Sequence, residues 1–431
     1  MATKNESTGM AVGIVGLGYV GLPLAMVFCR RGIRVVGVDV SEGRVREISA
    51  GRSPIGDVSD ADVGQFIQNG LLKAATDYAA LKAAESISIC VPTPLRKTKD
   101  PDMSYVVAAC EQLALVLQRG QLVILESTVY PGATEELVAQ ILEKSGLRAG
   151  VDFHLAFSPE RVDPGNTSIG LAAIPKVVGG ITPACTEKAA ALYSRAFDRV
   201  VAVKTAREAE MAKLLENTFR AVNIGLVNEL AVVSRKMGID FWNVLEAAGT
   251  KPFGFMAFQP GPGLGGHCIP IDPFYLSWKA KMFGTDVGFI ELADRVNSRM
   301  PAYVVERVAG MLNRSCKPVN GSRIHVLGVA YKRNVSDVRE SPAIDILGLF
   351  REMGAKVSYS DPHVPRLQVF GEALTSETLS PSFLRGLDCV VIVTDHSAFD
   401  WTEIVRHAPM VFDARNATGK LNMEAKNVER L

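Results

Sequence analysis

Short apolar runs alternate with stretches of helical periodicity along the first part of the chain. The β-branched run at residues 12–15 leads into a glycine turn and a helical stretch, and the next apolar run, "RVVGVDV", ends near Asp39. Two later runs, "SISICVPTP" and "QLVILESTVYPG", again alternate with helical stretches. Strands that alternate with helices indicate a parallel, doubly wound sheet.

The middle of the chain carries the pattern of one long helix. Between residues 205 and 237 the only glycine or proline is Gly225. Thr205 and Glu208 have the spacing of a helix-capping box. Apolar residues then recur at helical spacing, at Leu214, Leu215, Phe219, Val222, Leu226, Leu230 and Val233. Such a helix spans roughly 45–50 Å, more than one small domain needs, so we expect it to bridge domains and to form the centre of a homodimer interface.

A second α/β pattern begins near Ser322. "SRIHVLGVAY" predicts a strand, "SPAIDILGLFREMGA" a helix, and "KVSYSDPH" a strand that ends at Asp361, placed like Asp39. The first turn lacks a glycine fingerprint, so this unit is expected to bind something other than a dinucleotide, or to bind a dinucleotide differently. The predicted fold class is therefore α/β, with two Rossmann-like doubly wound domains joined by a long central helix and a helical middle domain.

Composition narrows the class of protein. A length of 431 residues suggests two or three domains, and 48% hydrophobic residues with a net charge of +1 are typical of a soluble globular protein. A nucleic-acid partner would need a basic excess, and no apolar run reaches the roughly 20 residues of a membrane span, so neither partner is expected. The polar start, "MATKNESTG", does not resemble a signal peptide. The seven cysteines are widely spaced without a CxxC, which argues against a disulfide framework and favours a reducing cytoplasm.

The first glycine turn has the context of a dinucleotide-binding fingerprint. It follows a strand, opens a helix, and precedes the acidic Asp39 by 18 positions. The candidate cofactor-binding residues of this turn are Gly16, Gly18, Tyr19, Val20 and Gly21. Asp39 would accept hydrogen bonds from the adenosine ribose and repel a 2′-phosphate, which favours NAD, although the nearby cation Arg44 works against that preference. The alternative is a glycine turn that serves only to pack the helix against the strand and binds no dinucleotide.

Further candidates follow later strands. Thr93, in "VPTP", and Thr128, in "ESTVYPG", could contact cofactor or water, or could be ordinary turn threonines. In "FSPERVDPG", Glu160 could be a general base and Arg161 lies beside it, but Glu160 could equally be a helix-cap residue.

The predicted long helix carries one unusual polar stripe. Lys213, Asn217 and Arg220 share one face, with largely apolar neighbours and no intervening acid. This pattern suits an anion or an oxyanion; the alternative is a stripe within an interface.

The stretch "GPGLGGHCIPIDP" at residues 261–273 holds Cys268 in a loop dense in glycine and proline, with Asp272 four residues later. That density predicts a loop of one particular shape. His267 and Cys268 are adjacent, which suits zinc poorly, and no second His/Cys cluster offers partners, so no metal site is expected.

These segments together resemble the UDP-glucose/GDP-mannose dehydrogenase family. The resemblance covers nearly the whole chain, through "GLGYVGLPLA", "VPTP", "STVYPG", "SPERV", the lysine and asparagine of the long helix, "GPGLGGHCIPIDP" and "SDVRESPA". It implies an enzyme that uses NAD to oxidise the C6 alcohol of a UDP-sugar twice, through an aldehyde, to a carboxylate. Cys268 would add to the aldehyde as a thiolate, giving a thiohemiacetal, then a thioester that water hydrolyses.

The resemblance also implies domains and residue roles. The domains would be an NAD-binding domain at residues 1–204, a central helical domain at 205–310 with the cysteine loop and dimer interface, and a UDP-sugar-binding domain at 311–431. The implied catalytic residues besides Cys268 are Lys213 and Asn217 for the developing oxyanion, Asp272 and Thr128 for water, and Glu160 for thioester hydrolysis. Arg339 would reach the NAD pyrophosphate. The implied substrate-binding residues are Arg161, Lys213, Asn217, Arg220, Gly263, Gly265, Tyr331 and Lys332.

The cysteine region departs from the UDP-glucose branch of the family. That branch usually carries an arginine before the loop, where this chain has Pro252, and a serine before the cysteine, where it has His267. The region is most similar to the branch acting on UDP-N-acetylglucosamine, with UDP-N-acetylmannosamine and UDP-glucose as alternatives. A non-catalytic dinucleotide-binding sensor is the alternative from another class, but it predicts loss of Cys268, Lys213 or Asp272, and all three are present.

Overall fold

The computed structural model describes residues 11–161, 170–421 and 425–431. The chain divides into two compact units, unit 1 from Met1–Glu216 with Phe274–Thr285, and unit 2 from Asn217–Pro273 with Asp286–Leu431. Each unit is built around its own sheet. The predicted α/β class with two Rossmann-like domains is confirmed. The domain boundaries drawn from the sequence stay predictions.

Unit 1 contains an eight-stranded sheet of order β3-β2-β1-β4-β5-β6-β7-β8. Its strands are β1 (Ala11–Val15), β2 (Arg34–Val38), β3 (Leu72–Ala75), β4 (Ser86–Ile89), β5 (Leu122–Leu125), β6 (His154–Phe157), β7 (Lys176–Gly180) and β8 (Val200–Ala202). The pairing is parallel except between β6 and β7. A parallel pair needs a long crossover, usually a helix, and no α-helix is found among the described residues between β6 and β7.

Six α-helices of unit 1 cross over between its strands. They are α1 (Gly21–Arg30), α2 (Glu42–Ser49), α3 (Asp60–Gln68), α4 (Ser104–Ala114), α5 (Ala139–Leu142) and α6 (Pro183–Tyr193). A π-helical turn, Thr134–Val138, precedes α5. The strand order reverses between β1 and β4, and ligands of open α/β sheets bind beyond the carboxyl ends of the strands at such a point.

Two helices belong partly to each unit. They are α7 (Ala206–Lys236) and α9 (Asp272–Lys281). With 31 residues, α7 is about 46 Å long, as its pattern predicted. The predicted capping box is confirmed, because Thr205 N–H donates to the Glu208 carboxylate at 3.1 Å and Glu208 N–H donates to the Thr205 hydroxyl at 3.2 Å.

The last turns of α9 complete the fold of unit 1, although they follow the cysteine loop in sequence. The Tyr275 hydroxyl donates to the Pro94 carbonyl at 3.1 Å, and the Lys279 ammonium lies 2.6 Å from the Glu136 carboxylate. The ring of Trp278 packs 5.0 Å from that of Tyr130. The segment is therefore an integral part of unit 1.

Unit 2 contains a five-stranded parallel sheet of order β10-β9-β13-β14-β15 and a two-stranded hairpin. The strands are β9 (Arg323–Leu327), β10 (Lys356–Ser360), β11 (Arg366–Val369), β12 (Glu372–Thr375), β13 (Cys389–Ile392), β14 (Val411–Asp413) and β15 (Val428–Arg430). The helices are α8 (Phe241–Gly249), α10 (Gly288–Arg314), α11 (Pro342–Glu352), α12 (Pro381–Arg385) and α13 (Trp401–His407). Among the described residues, no helix is long and apolar enough to cross a membrane.

Candidate active site

The glycine turn after β1 is shaped by steric constraint. Gly16 has φ +92°, and a Cβ on it would lie 2.5 Å from the Cys90 carbonyl oxygen. A Cβ on Gly21 would lie 1.8 Å from the Gly16 oxygen, so the helix can begin against the turn only with glycine there. Among the described residues, no heavy atom lies within 4 Å of the Cβ position of Gly18, which leaves open space above the turn.

The start of α1 suits a phosphate. Val20 is its N-cap residue, no side chain of the described residues caps it, and its first turn carries no acid. A helix N-terminus with uncapped N–H groups attracts anions. The residues therefore fit a dinucleotide such as NAD, with the half-exposed Tyr19 at the same turn.

Asp39 follows β2 and is almost completely buried. Its carboxylate accepts hydrogen bonds from the backbone N–H groups of Leu17 at 2.8 Å and Ser41 at 2.9 Å, and pairs with the Arg44 guanidinium at 2.8 Å. Asp39 thus holds the glycine turn in place in addition to carrying a negative charge. Arg44, whose positive charge was expected to weaken the preference for NAD, forms an ion pair with Asp39.

The loops after β4 and β5 are joined to each other. The Ser127 hydroxyl donates to the carbonyls of Val91 at 2.7 Å and Ile89 at 3.3 Å. Thr93 is buried and Thr128 is half-buried. The structure therefore places both threonines in neighbouring loops at the carboxyl edge of the sheet.

The loop after β6 meets the first part of α7. The Lys213 ammonium donates to the Glu160 carbonyl, and the Arg161 guanidinium bonds to the Glu216 carboxylate at 2.7 Å and the Pro175 carbonyl at 2.7 Å. Lys213 is only 6% exposed. Among the described residues of unit 1, no carboxylate lies within ion-pair distance of its ammonium. A buried cation is costly unless it is paired, so this one is placed to receive an anionic group.

In unit 2, Asn217 and Asp272 are brought together. The Asn217 amide donates to the Asp272 carboxylate at 2.5 Å, and both side chains are buried. The Asp272 N–H donates to the Cys268 carbonyl at 2.8 Å, which forms the turn that opens α9. Cys268 itself is half-buried. Arg220, the third member of the sequence stripe, is exposed.

The cysteine loop packs against the loop after β9. A Cβ on Gly265 would lie 2.7 Å from the Tyr331 Cβ, and one on Gly266 would lie 2.7 Å from its ring. Gly263 has φ +135°, a backbone conformation that favours glycine. The glycines therefore allow a close approach between this loop and Tyr331, which precedes the half-buried Lys332.

Arg339 contributes to the same region through its backbone. Its carbonyl accepts the Gly266 N–H at 3.0 Å, while its guanidinium makes three contacts with the Asp337 carboxylate, the shortest at 2.6 Å. Its predicted contact with the NAD pyrophosphate stays a prediction.

Asp361 holds the loop after β9 much as Asp39 holds the loop after β1. Its carboxylate accepts the N–H groups of Val329 at 2.8 Å and Ala330 at 2.9 Å, and lies 3.0 Å from the His396 Nε2. Burial acts to raise the pKa of Asp361, but the hydrogen bonds from His396 and Ala330 outweigh it and the pKa is lowered. His396 was not singled out from the sequence.

Sequence reasoning also missed Glu210 and Arg415. Glu210 lies one helical turn before Lys213 and accepts the N–H groups of Gly132 at 2.5 Å and Thr134 at 2.9 Å. Burial raises the pKa of Glu210 to about 7.

Arg415 follows β14, and its guanidinium lies 2.7 Å from the Cβ position of Gly261. The sequence signal for Glu210 was its position one helical turn before Lys213. The signal for Arg415 was its position just after a strand.

The glycine turn of unit 1, with its uncapped helix start, has the features of an NAD-dependent oxidoreductase. Sequence models of the UDP-glucose/GDP-mannose dehydrogenase family match the chain in three parts, the NAD binding domain at residues 10–197, the central domain at 207–299 and the UDP binding domain at 325–420. The chain belongs to this family of NAD-dependent nucleotide-sugar 6-dehydrogenases. The predicted family, enzyme class and cofactor are confirmed.

Similar proteins differ in the sugar that their names specify. The chain is 39% identical over 393 residues to UDP-N-acetyl-D-glucosamine 6-dehydrogenase of Pseudomonas aeruginosa, covering 90% of this chain and 91% of that protein. It is 36% identical to NDP-N-acetyl-D-galactosaminuronic acid dehydrogenase of Ralstonia solanacearum, covering 90% and 91%. The solved UDP-D-ManNAc dehydrogenase from Pyrococcus horikoshii has a TM-score of 0.88 at 35% identity, covering 98% of each chain.

Proposed function

We propose that the protein oxidises the C6 hydroxyl of a UDP-N-acetylhexosamine to a carboxylate, and that the sugar is N-acetylglucosamine. The similarity to the Pseudomonas enzyme supports this sugar, as does the cysteine region, with Pro252 and His267 in place of the arginine and serine of the UDP-glucose branch. UDP-N-acetylmannosamine and UDP-glucose are the alternative substrates. The oxidation removes four electrons in two steps.

The observation that carries the proposal is Lys213, which is only 6% exposed and whose ammonium donates to the Glu160 backbone carbonyl. NAD bound at the glycine turn would supply the hydride acceptor, one molecule for the first oxidation and a second molecule for the second. In each one Lys213 stabilises the negative charge that develops on the C6 oxygen. Asn217, fixed by its bond to Asp272, orients the same oxygen.

Cys268 supplies the covalent step. Its thiolate attacks the aldehyde carbon, forming a C–S bond and a tetrahedral thiohemiacetal, which the second oxidation converts into a thioester. Water then attacks the thioester carbon, the C–S bond breaks, and the carboxylate and thiol are released. Asp272 and Thr128 position this water, and Glu160 accepts its proton.

We assign substrate binding to the cysteine loop and the loop after β9, whose backbone N–H groups are held by hydrogen bonds. Lys332 binds the diphosphate and Tyr331 lies beside it, against the glycine-rich loop. Arg161 and Arg220 add positive charge, and Gly263 and Gly265 let the loop backbone approach the sugar.

A substrate panel with NADH counting tests the proposal. The full chain is incubated with NAD and UDP-linked N-acetylglucosamine, N-acetylmannosamine, N-acetylgalactosamine or glucose. We expect two NADH per sugar and the corresponding uronate, with N-acetylglucosamine the best substrate. A better rate with another sugar would overturn the assignment of substrate, and one NADH per sugar would overturn the two-step reaction.

The matched variants Cys268→Ala and Cys316→Ala test the role of the thiol. Cys316 is exposed and lies outside the loop, so its variant is expected to retain full activity. Cys268→Ala is expected to bind NAD and UDP-sugar but to fail to yield two NADH. Glu160→Gln is expected to accumulate a covalent sugar adduct, detected by intact-protein mass spectrometry. Full uronate production by Cys268→Ala contradicts covalent catalysis at this loop.

A second copy of the chain is the proposed partner. Helix α7 and the residue that follows it expose an apolar stripe whose members recur every three, four or seven residues, Met211, Leu215, Phe219, Leu226, Leu230, Val233 and Met237. This spacing is typical of two helices that pair along a common seam, and a self-complementary patch produces a twofold dimer. The proposed location is the cytoplasm. The seven cysteines all lie among the described residues and no disulfide joins any two of them, which supports a reducing compartment.

A further inference from the structure

Helices α7 and α10 approach each other closely at Gly225, the one glycine within α7. A Cβ at that position would lie 3.3 Å from the Ala293 Cα and 3.4 Å from the Asn297 amide nitrogen. The first distance is tighter than ordinary side-chain contacts and the second is at their lower limit. Glycine therefore allows the two helices to come near enough for polar side chains to bond across their interface.

Two buried asparagines use this close approach. Asn228, on α7, and Asn297, on α10, are 0% and 2% exposed. The Asn228 amide donates to the Asn297 side-chain oxygen at 2.9 Å, and the Asn297 amide donates to the Ala221 carbonyl at 3.1 Å. A buried amide without partners is costly, but a chain in which each side chain both donates and accepts is rigid.

At the Asn228 end, this chain of hydrogen bonds holds the start of the cysteine loop. The Gly261 N–H donates to the Asn228 side-chain oxygen at 2.8 Å. Further along, the Gly266 N–H is held by the Arg339 carbonyl. Cys268 follows two residues later. The loop is thus fixed at two backbone N–H groups before the thiol, and the first of these depends on the asparagine pair.

We propose that Asn228 and Asn297 are positioning residues that set the place of the Cys268 thiol through the Gly261 N–H. The proposal rests on the proposed function of Cys268 as nucleophile. A role limited to joining α7 and α10 would affect stability alone. A positioning role also predicts that thiol accessibility and turnover change together.

The substitution Asn228→Asp tests this most directly. A carboxylate still accepts the Gly261 N–H, but it cannot donate to Asn297. If Asn297 rotates to donate to the carboxylate, its oxygen faces the Ala221 carbonyl, so the hydrogen-bond chain is broken in either arrangement. Asn243→Asp is the control, because Asn243 lies in the same unit at an exposed position on α8.

Two quantities are measured on the full chain. Peptide mass spectrometry gives the rate at which iodoacetamide alkylates Cys268, with the exposed Cys316 as internal reference. We expect alkylation of Cys268 to rise about tenfold in Asn228→Asp, because the side chain that accepts the Gly261 N–H loses the Asn297 bond that fixes it, which raises the population of the open loop. We expect kcat to fall about 10- to 100-fold through misplacement of the thiol, while the Kd for NAD stays unchanged.

Asn297→Asp provides a second variant, one bond further from the loop, because it keeps an acceptor for Asn228 while its second oxygen faces the Ala221 carbonyl and cannot donate to it. We expect the same changes at smaller size, and this variant decides the matter if Asn228→Asp does not fold. Alkylation and kcat within twofold of Asn243→Asp in the folded variants would overturn the proposal. If the wild type oxidises no UDP-sugar, the proposed function fails, but the alkylation rates still test the positioning because they require no substrate.

Discussion

Replacing Glu210 with glutamine is expected to change how the stability of unit 1 depends on pH. Burial raises the pKa of this carboxyl from 4.5 to about 7 in the folded protein. A raised native pKa means that the contribution to stability is fully present below pH 4.5 and is lost as the pH rises through 7. The difference between the two pKa values corresponds to roughly 3 kcal/mol. Glutamine does not titrate but keeps an oxygen that can accept the Gly132 or Thr134 N–H.

We therefore expect the unfolding free energy of Glu210→Gln, relative to wild type, to rise by about 3 kcal/mol between pH 4.5 and 8. At the acidic end the variant is less stable by about 1 kcal/mol, because its amide group cannot accept every hydrogen bond that the carboxyl accepts.

Urea unfolding followed by tryptophan fluorescence measures this difference. Trp278 is the one tryptophan in unit 1 and its ring lies 5.0 Å from that of Tyr130, near the segment that Glu210 holds. Replacing Trp242 and Trp401 with phenylalanine isolates its signal. Glu187→Gln, at an exposed position on α6, is the control and is expected to show no such trend. A difference between Glu210→Gln and wild type that stays constant from pH 4.5 to 8 would refute the reasoning.

Three further predictions concern cofactor, catalysis and assembly. Asp39→Ala is expected to lower the ratio of kcat/KM for NAD over NADP about tenfold, because a charge-assisted hydrogen bond to the ribose is lost; an unchanged ratio in steady-state kinetics counts against this. Lys213→Ala is expected to reduce kcat about 10²- to 10³-fold at the first oxidation, visible in single-turnover NADH formation, and a burst at the wild-type rate would contradict it. Leu226→Glu combined with Leu230→Glu is expected to give a monomer in light scattering at micromolar concentration, whereas a dimer would place the interface elsewhere.

Features that depend on neighbouring residues in the chain could be predicted from the sequence. The capping box of Thr205 and Glu208 is formed by groups three residues apart. Together with the scarcity of glycine and proline between residues 205 and 237, it predicted the bounds of α7 to within a residue or two. The glycine turn was recognisable because strand, turn and helix follow directly. Asp39 was recognisable because it ends the next strand.

Contacts between distant segments could not be predicted in this way. Lys213 meets the Glu160 carbonyl across 53 positions, and Asn228 meets Asn297 across 69. A buried asparagine within an otherwise amphipathic helix has the same sequence signature as an exposed one, so only packing reveals its partner. The antiparallel pairing of β6 and β7 was also not predicted. The direction of a strand depends on the connection that precedes it, and the apolar run itself does not reveal that direction.

The short segment Phe274–Thr285 makes unit 1 discontinuous along the chain. During synthesis on the ribosome, the sheet of unit 1 is complete in sequence by residue 202, yet Pro94, Tyr130 and Glu136 gain their partners only after Lys279 has been translated. Domains generally fold as units while the chain emerges. The cysteine loop must therefore be synthesised before unit 1 can complete its folding. A fragment that ends at Glu216 would lack the contacts that Tyr275, Trp278 and Lys279 make with the rest of unit 1. An expression fragment of unit 1 needs residues 274–285 rejoined to it.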